Sequence, residues 1–126
     1  MLPNVSSDPV IRVLPAETGC AGHLAYRRVS ACVMQDFGVI ADEMAAPSRG
    51  SPRTALARQV AMYLCHVGFS MSFEAIGRQF GRDRTTVAHA CRVVEDRRDD
   101  IWFDCRIAAL ELALNGKTMS EAERGQ

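Results

Sequence analysis

No stretch of the chain approaches the ~18 consecutive apolar residues of a membrane-spanning helix. The N-terminus also lacks the basic-then-apolar pattern of a secretory signal. A cytoplasmic protein with no membrane partner is expected. No C-x-x-C pair occurs, and the five cysteines, Cys20, Cys32, Cys65, Cys91 and Cys105, are widely spaced and odd in number. That is the usage of a reducing compartment, not of a disulfide framework. The three histidines make no metal-ligand spacing with the cysteines. Cys65-His66 with His89 and Cys91 as a split zinc site is the alternative to buried thiols and a surface His, and no metal and no other cofactor is expected. No nucleophile and base stand at useful spacing, and no paired carboxylates do. The one acidic cluster, Asp99, Asp100 and Asp104, is explained by helix capping, and an enzyme is not expected. A phosphate-binding G-x-x-x-x-G-K-[ST] loop, an internal repeat and a low-complexity tract are missing too. Aromatic residues make up only 6% of the chain. The apolar content therefore comes mainly from Ala, Val, Leu and Met, which favours helices over sheets.

What is present is enough for one core. A chain of 126 residues that is 48% hydrophobic supports a single domain with tails. Its net charge is zero, but the charge is unevenly distributed. Residues 1–44 hold 3 Arg against 5 acids, residues 45–92 hold 7 Arg against 2, and residues 93–126 hold 5 Arg or Lys against 8. The middle of the chain is thus locally basic, and it is the local field that meets a phosphate backbone.

Residues 1–22 carry three prolines and no periodicity and are expected to be a disordered or partner-docking arm. From about 23 to 36, Tyr26, Val29, Val33 and Phe37 form a helical stripe that breaks near Gly38. Val39, Ile40 and Met44 suggest a short helical segment before the loop AAPSRGSP. Ser51-Pro52 is a capped helix start. The helix it opens runs to about Val67, burying Leu56, Val60, Tyr63, Leu64 and Val67 and leaving Arg53, Arg58 and Gln59 outside. After Val94, EDRRDD forms a solvated corner, with Asp99 or Asp100 capping a last helix. In that helix Ile101, Trp102, Cys105, Ala108, Ala109 and Leu112 form the stripe, and Asn115-Gly116 stop it. Trp102 is assigned to the core, with a partner-docking Trp-Leu surface as the alternative. The expected whole is an all-α bundle of about five helices over residues 23–115, followed by a flexible tail, 116–126.

The chain is organised around residues 72–94, SFEAIGRQFGRDRTTVAHACRVV. Phe73, Ile76, Gly77 and Phe80 fall at i, i+3, i+4 and i+7 behind a Ser72 cap. Val87, Ala90, Cys91 and Val94 repeat that spacing behind an Asp83 cap, and Gly81 supplies the turn between them. This is the outline of a helix-turn-helix. Arg84, Thr85, Ala88, His89 and Arg92 lie off the packed face. Arg can fork onto guanine O6 and N7, and Thr offers a hydroxyl and a methyl that fits thymine, so the first turn of the second helix suits the major groove. A helical hairpin with merely solvated Arg and Thr is the alternative at this point.

Three segments carry a resemblance: Ala57-Arg58-Gln59-Val60-Ala61-Met62-Tyr63-Leu64, Ile76-Gly77-Arg78-Gln79-Phe80-Gly81, and Arg82-Asp83-Arg84-Thr85-Thr86-Val87-Ala88-His89-Ala90-Cys91. In order and spacing, over roughly residues 24–97, they resemble the C-terminal DNA-binding domain of the bacterial replication initiator DnaA. Base readout is expected from Arg84, Thr85, Thr86 and His89 at the start of the second helix, and the resemblance implies binding to double-stranded DNA. It places Arg58 and Gln59 on phosphate, and Ser72, Phe73, Arg82 and Arg92 in the same backbone-facing set. Arg49 and Arg53 stand for the family's arginine-rich loop, which reaches the minor groove. Where the family pattern has Asp-His-Thr-Thr, this chain has Asp83-Arg84-Thr85-Thr86, and the preceding turn is one glycine shorter. No nucleotide-hydrolysing portion is present, so a complete initiator is not expected. Two functions follow as expectations. One is a stand-alone, nucleoid-associated transcription regulator, with RNA polymerase or another transcription factor as its protein partner. The other is a replication-linked protein that binds or competes for initiator sites.

Overall fold

The computed structural model describes residues 20–46 and 50–124, with side chains over 22–46 and 50–115. The expected N-terminal arm and Arg49 fall largely or wholly outside the described residues. Among those described there are six helices and no strand: α1 (Cys20–Phe37), α2 (Ala41–Ala45), α3 (Pro52–Phe69), α4 (Phe73–Phe80), α5 (Arg84–Arg97) and α6 (Ile101–Arg124). The all-α bundle is as the sequence leads one to expect. None of these helices is long and apolar enough to cross a membrane.

Helix α3 is the axis of the bundle. Its start is set locally: Ser51 Oγ accepts the Thr54 amide at 3.1 Å and Pro52 occupies the first turn. Ala57, Val60, Ala61, Met62, Tyr63, Leu64 and Cys65 are then all buried, so apolar side chains face inward around most of the helix. Helices α1, α2, α4, α5 and α6 pack around it. The α1 stripe of Val29, Val33 and Phe37 is buried, and Gly38 at φ 68° ends that helix. Ile76 of α4 and Val87 and Val94 of α5 are fully enclosed. Each such side chain contributes about 1.5–3 kcal/mol relative to exposure.

Several expectations need correcting. Helix α3 runs to Phe69, and Val67 is 47% exposed rather than buried. Arg58 was expected outside the packed face, yet it is buried at 6% exposure. Trp102 is not core: it is 82% exposed, while Phe103, Ile107, Leu110 and Leu114 form the buried face of α6. The helical phase is therefore shifted from the Ile101, Trp102, Cys105, Leu112 stripe. Helix α6 continues through Asn115-Gly116 to Arg124.

The corner between α5 and α6 is also more than a solvated run. Asp100 Oδ1 accepts the Trp102 amide at 3.0 Å, which caps α6. Arg98 donates to Asp104, Tyr63 Oη and Glu111. Partial burial works against the Arg98 charge, but those three hydrogen bonds prevail and raise its pKa.

Candidate nucleic-acid interface

Local rules set the position of α4. Ser72 Oγ accepts the Ala75 amide at 3.1 Å, and Ala75, Ile76 and Gly77 face the core. The helix closes at Gly81, whose φ of 69° lies in the left-handed region that favours glycine. The Gly77 carbonyl then accepts two amides, Gly81 N–H and, at 2.9 Å, Arg82 N–H. This folds the turn back onto its own helix so tightly that a Cβ at Gly77 would lie 2.4 Å from the Arg82 carbonyl oxygen. Gly77 is thus the close-approach residue of the motif, and Gly81 its left-handed one.

The start of α5 is fixed by Asp83. Its Oδ1 accepts the Thr86 amide at 2.9 Å and the Thr85 hydroxyl at 3.2 Å. The backbone bond from Thr86, helped by side-chain bonds from Thr86 and Thr85, holds the Asp83 carboxyl below its usual range. Because Thr85 O–H is donated to Asp83, what Thr85 can present outward is its lone pairs and its methyl. It is therefore suited to accept from an adenine or cytosine amino group, or to touch a thymine methyl.

Behind this first turn, Val87, Ala90, Cys91 and Val94 are buried, and Arg84, Thr85, Thr86, His89 and Arg92 are exposed. Thr85, His89 and Arg92 share one outward line at i, i+4 and i+7, flanked at the first turn by Arg84 and Thr86. Arg84 makes no hydrogen bond or ion pair with another described residue. The structure thus gathers the four sequence-assigned base readers and Arg92 on one exposed helix surface.

Arg82 and Arg58 are placed differently from the expectation that both face phosphate. Arg82 Nη2 donates to the Ala46 carbonyl at 2.8 Å and Nη1 to the Phe80 carbonyl at 3.3 Å. Arg58 donates from Nε to the Met44 carbonyl at 3.0 Å and from Nη2 to the Glu43 carbonyl at 3.0 Å. At the C-terminal end of α2 the Glu43 carbonyl also accepts the Ala46 amide, and the two guanidinium groups supply the remaining donors to Glu43, Met44 and Ala46. Burial, and then the neighbouring Arg82 charge, lowers the Arg58 pKa. Both side chains clamp α2 and the following loop to α3 and to the reading turn.

The rest of the backbone-facing set lies apart. Arg53 and Gln59 line an open cleft of about 350 Å³ with Phe37, Leu56, Arg97 and Arg106. Arg97 and Arg106 were not singled out by the sequence. Arg97 lay in the charged corner, and Arg106 is fixed by Asp36 at 2.8 Å and lies over the Phe37 ring. Ser72 is occupied as a cap, and the half-buried Phe73 ring packs on His66 at 4.5 Å between centroids. Two thiols behind the motif are inert in character. Burial, with Cys91 nearby, pushes Cys65 up to about 12, and burial, with Glu95 nearby, pushes Cys91 up to about 11. Among the described residues no group of three His, Cys, Asp or Glu side chains is placed to hold a metal.

Comparison with known proteins agrees with this geometry. A family model described as the bacterial dnaA protein helix-turn-helix matches residues 26–94. Chromosomal replication initiator protein DnaA from Bifidobacterium animalis subsp. lactis is 43% identical over 74 residues, 57% of this chain and 12% of that protein. DnaA 1 of Chlamydia pneumoniae is 34% identical over 83 residues, covering 66% of this chain and 18% of the relative. DnaA of Agrobacterium fabrum is 36% identical over 97 residues, 75% of this chain and 20% of the relative. The chain spans only a fifth or less of these initiators. The matched segment takes in α3, α4 and most of α5, the helices that build the capped reading turn, and by this match the chain belongs to the bacterial DnaA-type helix-turn-helix family of DNA-binding domains.

Proposed function

We propose that the protein reads a specific duplex DNA sequence through the first turn of α5 and acts as a transcription regulator. The observation that carries the reading is the capped, exposed turn. Arg84, Thr85 and Thr86, with His89 one turn on, project from a helix whose N-terminus is held by Asp83 and whose back is locked into the core. A readout surface needs side chains that reach base edges from a rigid support, and this arrangement supplies both. Arg84 forks onto a guanine, Thr85 contributes acceptor and methyl contacts, and Arg53 and Arg92 add sequence-independent attraction to phosphate. In this reading the protein binds DNA in the nucleoid and catalyses nothing, and RNA polymerase or another transcription factor receives the signal.

A second reading has its own support. All three relatives above are named chromosomal replication initiators, which favours a replication-linked protein that occupies or competes for initiator sites. Arg84, where the initiator pattern has His, weighs toward a different preferred sequence. A genome-wide occupancy map separates the two: binding concentrated at promoters supports regulation of transcription, and binding concentrated at initiator sites replaces it with the replication reading. The underlying DNA contact is tested by a salt series. Affinity should fall steeply between about 50 and 200 mM salt, as for roughly 4–7 phosphate contacts, and a salt-independent affinity would contradict it.

A further inference from the structure

Helix α6 uses only one of its apolar lines to hold the fold. With Phe103, Ile107, Leu110 and Leu114 turned inward, Ile101 at 69%, Trp102 at 82% and Leu112 at 72% are left in solvent. Cys105, Ala108 and Ala109 are exposed beside them. Next to this face lies an open hollow of about 370 Å³, lined by Cys32, Gln35 and Asp36 of α1 and by Ala109, Leu110 and Ala113 of α6. Trp102, Ala109 and Ala113 are spaced i, i+7 and i+11, so the bulky side chain and the small-residue hollow lie on one line of the helix, about 10–16 Å apart.

We propose that this face is a homodimer interface: α6 of one copy lies antiparallel to α6 of a second, and Trp102 of each fills the α1–α6 hollow of the other. Three features select a second copy as the occupant. First, the shapes are self-complementary. Antiparallel pairing about a two-fold axis brings residue 102 opposite residues 109–113 in both directions at once, so one contact type is made twice and the assembly closes. Second, the chemistry is matched. An indole needs an acceptor for its N–H when it is buried, and the rim of the hollow offers the side-chain carbonyl of Gln35 and the carboxylate of Asp36. Third, the area fits. Ile101, Trp102 and Leu112 expose on the order of 400 Å² of apolar surface per copy. With the rim, two copies come to roughly 1,000 Å² or slightly more, the lower end of specific association. A concentration-dependent dimer follows. The axis midway between 102 and 109–113 passes within a turn of Cys105, which places the two Cys105 thiols near each other.

The test is sedimentation equilibrium on the full chain, with Trp102→Ala and Ala109→Arg examined separately. The first removes the knob and the second fills the hollow. Both sites are exposed, so helix content, and the melting temperature at concentrations where the chain is monomeric, should be retained. The unsubstituted chain should associate into two copies, and each substitution should weaken the dimer by about thirtyfold or more, the loss typical of an interface anchor. A short bismaleimide should cross-link two copies through Cys105, and the product should vanish in Cys105→Ser and in Trp102→Ala. A chain that stays monomeric across the concentration range would overturn the proposal. So would a dimer that either substitution leaves intact, or a dimer with no cross-link at Cys105.

Discussion

Gly77→Ala separates two uses of glycine within one turn. A Cβ at Gly77 would lie 2.4 Å from the Arg82 carbonyl oxygen and 3.5 Å from the carbonyl carbons of Arg82 and Asp83. All three are backbone atoms, so no side chain can swing aside. Relief requires moving the turn, which would loosen the Arg82 amide bond to the Gly77 carbonyl, now 2.9 Å, and displace the Asp83 cap behind it. Overpacking of a rigid site typically costs about 1–3 kcal/mol and sometimes more, and the loss of a turn hydrogen bond adds about 1 kcal/mol. We therefore expect Gly77→Ala to cost about 3–4 kcal/mol. Gly81→Ala provides the contrast. Nothing lies within 4 Å of its would-be Cβ, so its φ of +69° is the sole obstacle, and the expected cost is about 1–2 kcal/mol. Urea denaturation monitored by circular dichroism measures both. A cost under about 1 kcal/mol for Gly77→Ala, or a larger cost for Gly81→Ala, would refute the close-approach argument.

Three further outcomes are expected. Phe80→Ala should cost about 2–3 kcal/mol, somewhat below a fully enclosed Phe, because Phe80 is half-buried with its ring edge-on to Tyr26 at 4.9 Å. A thermal melt showing under about 1 kcal/mol would place Phe80 outside the core. Arg58→Ala should lower stability by about 1–3 kcal/mol, since it removes two guanidinium hydrogen bonds and leaves the Met44 carbonyl unpaired, while Glu43 keeps the Ala46 amide. Unchanged stability with weaker DNA binding would restore a phosphate role. Asp83 has a depressed folded-state pKa. Its contribution is therefore fully present above the ordinary carboxylate value, about 3.9, and is lost as pH falls through the lower folded value. Melting temperatures compared across pH 2–5 (roughly the carboxylate range) should show Asp83→Asn flattening part of the acid limb. An unaltered limb would mean that Asp83 does not titrate as a cap.

The reading motif was legible because its determinants are local. Ser72, Asp83 and Gly81 act on neighbours within a few residues, and one period fixes the buried faces of α4 and α5. The phase of α6 was not legible. Ile101, Trp102 and Phe103 are three consecutive apolar residues, and each of two lines, one through Cys105 and Leu112 and one through Ile107, Leu110 and Leu114, continues at helical spacing. The choice is made by α1 and α3, against which the second line packs, and no local pattern encodes their position. Arg58 failed for a related reason. In sequence it sits at the polar edge of α3, and only the arrival of the carbonyl end of α2, some 14 residues away, gives a buried guanidinium its partners. Gly77 was identified as a packed-face residue, but the turn that excludes its Cβ belongs to tertiary geometry. The cleft that joins Arg53 and Gln59 to Arg97 and Arg106 draws on α1, α3, α5 and α6 together.

The central claim is that the first turn of α5 reads bases. It is tested most directly by selecting bound sequences from a random duplex pool, first with the unsubstituted chain and then with Arg84→Ala on the selected site and its single-base variants. The selected motif should contain a G·C pair whose preference is relaxed in Arg84→Ala. The loss on the best site should be about 1–3 kcal/mol, and it should be small where that pair is already changed. A pool that yields no motif would contradict the account, and an equal loss on every variant would show that Arg84 meets phosphate rather than a base.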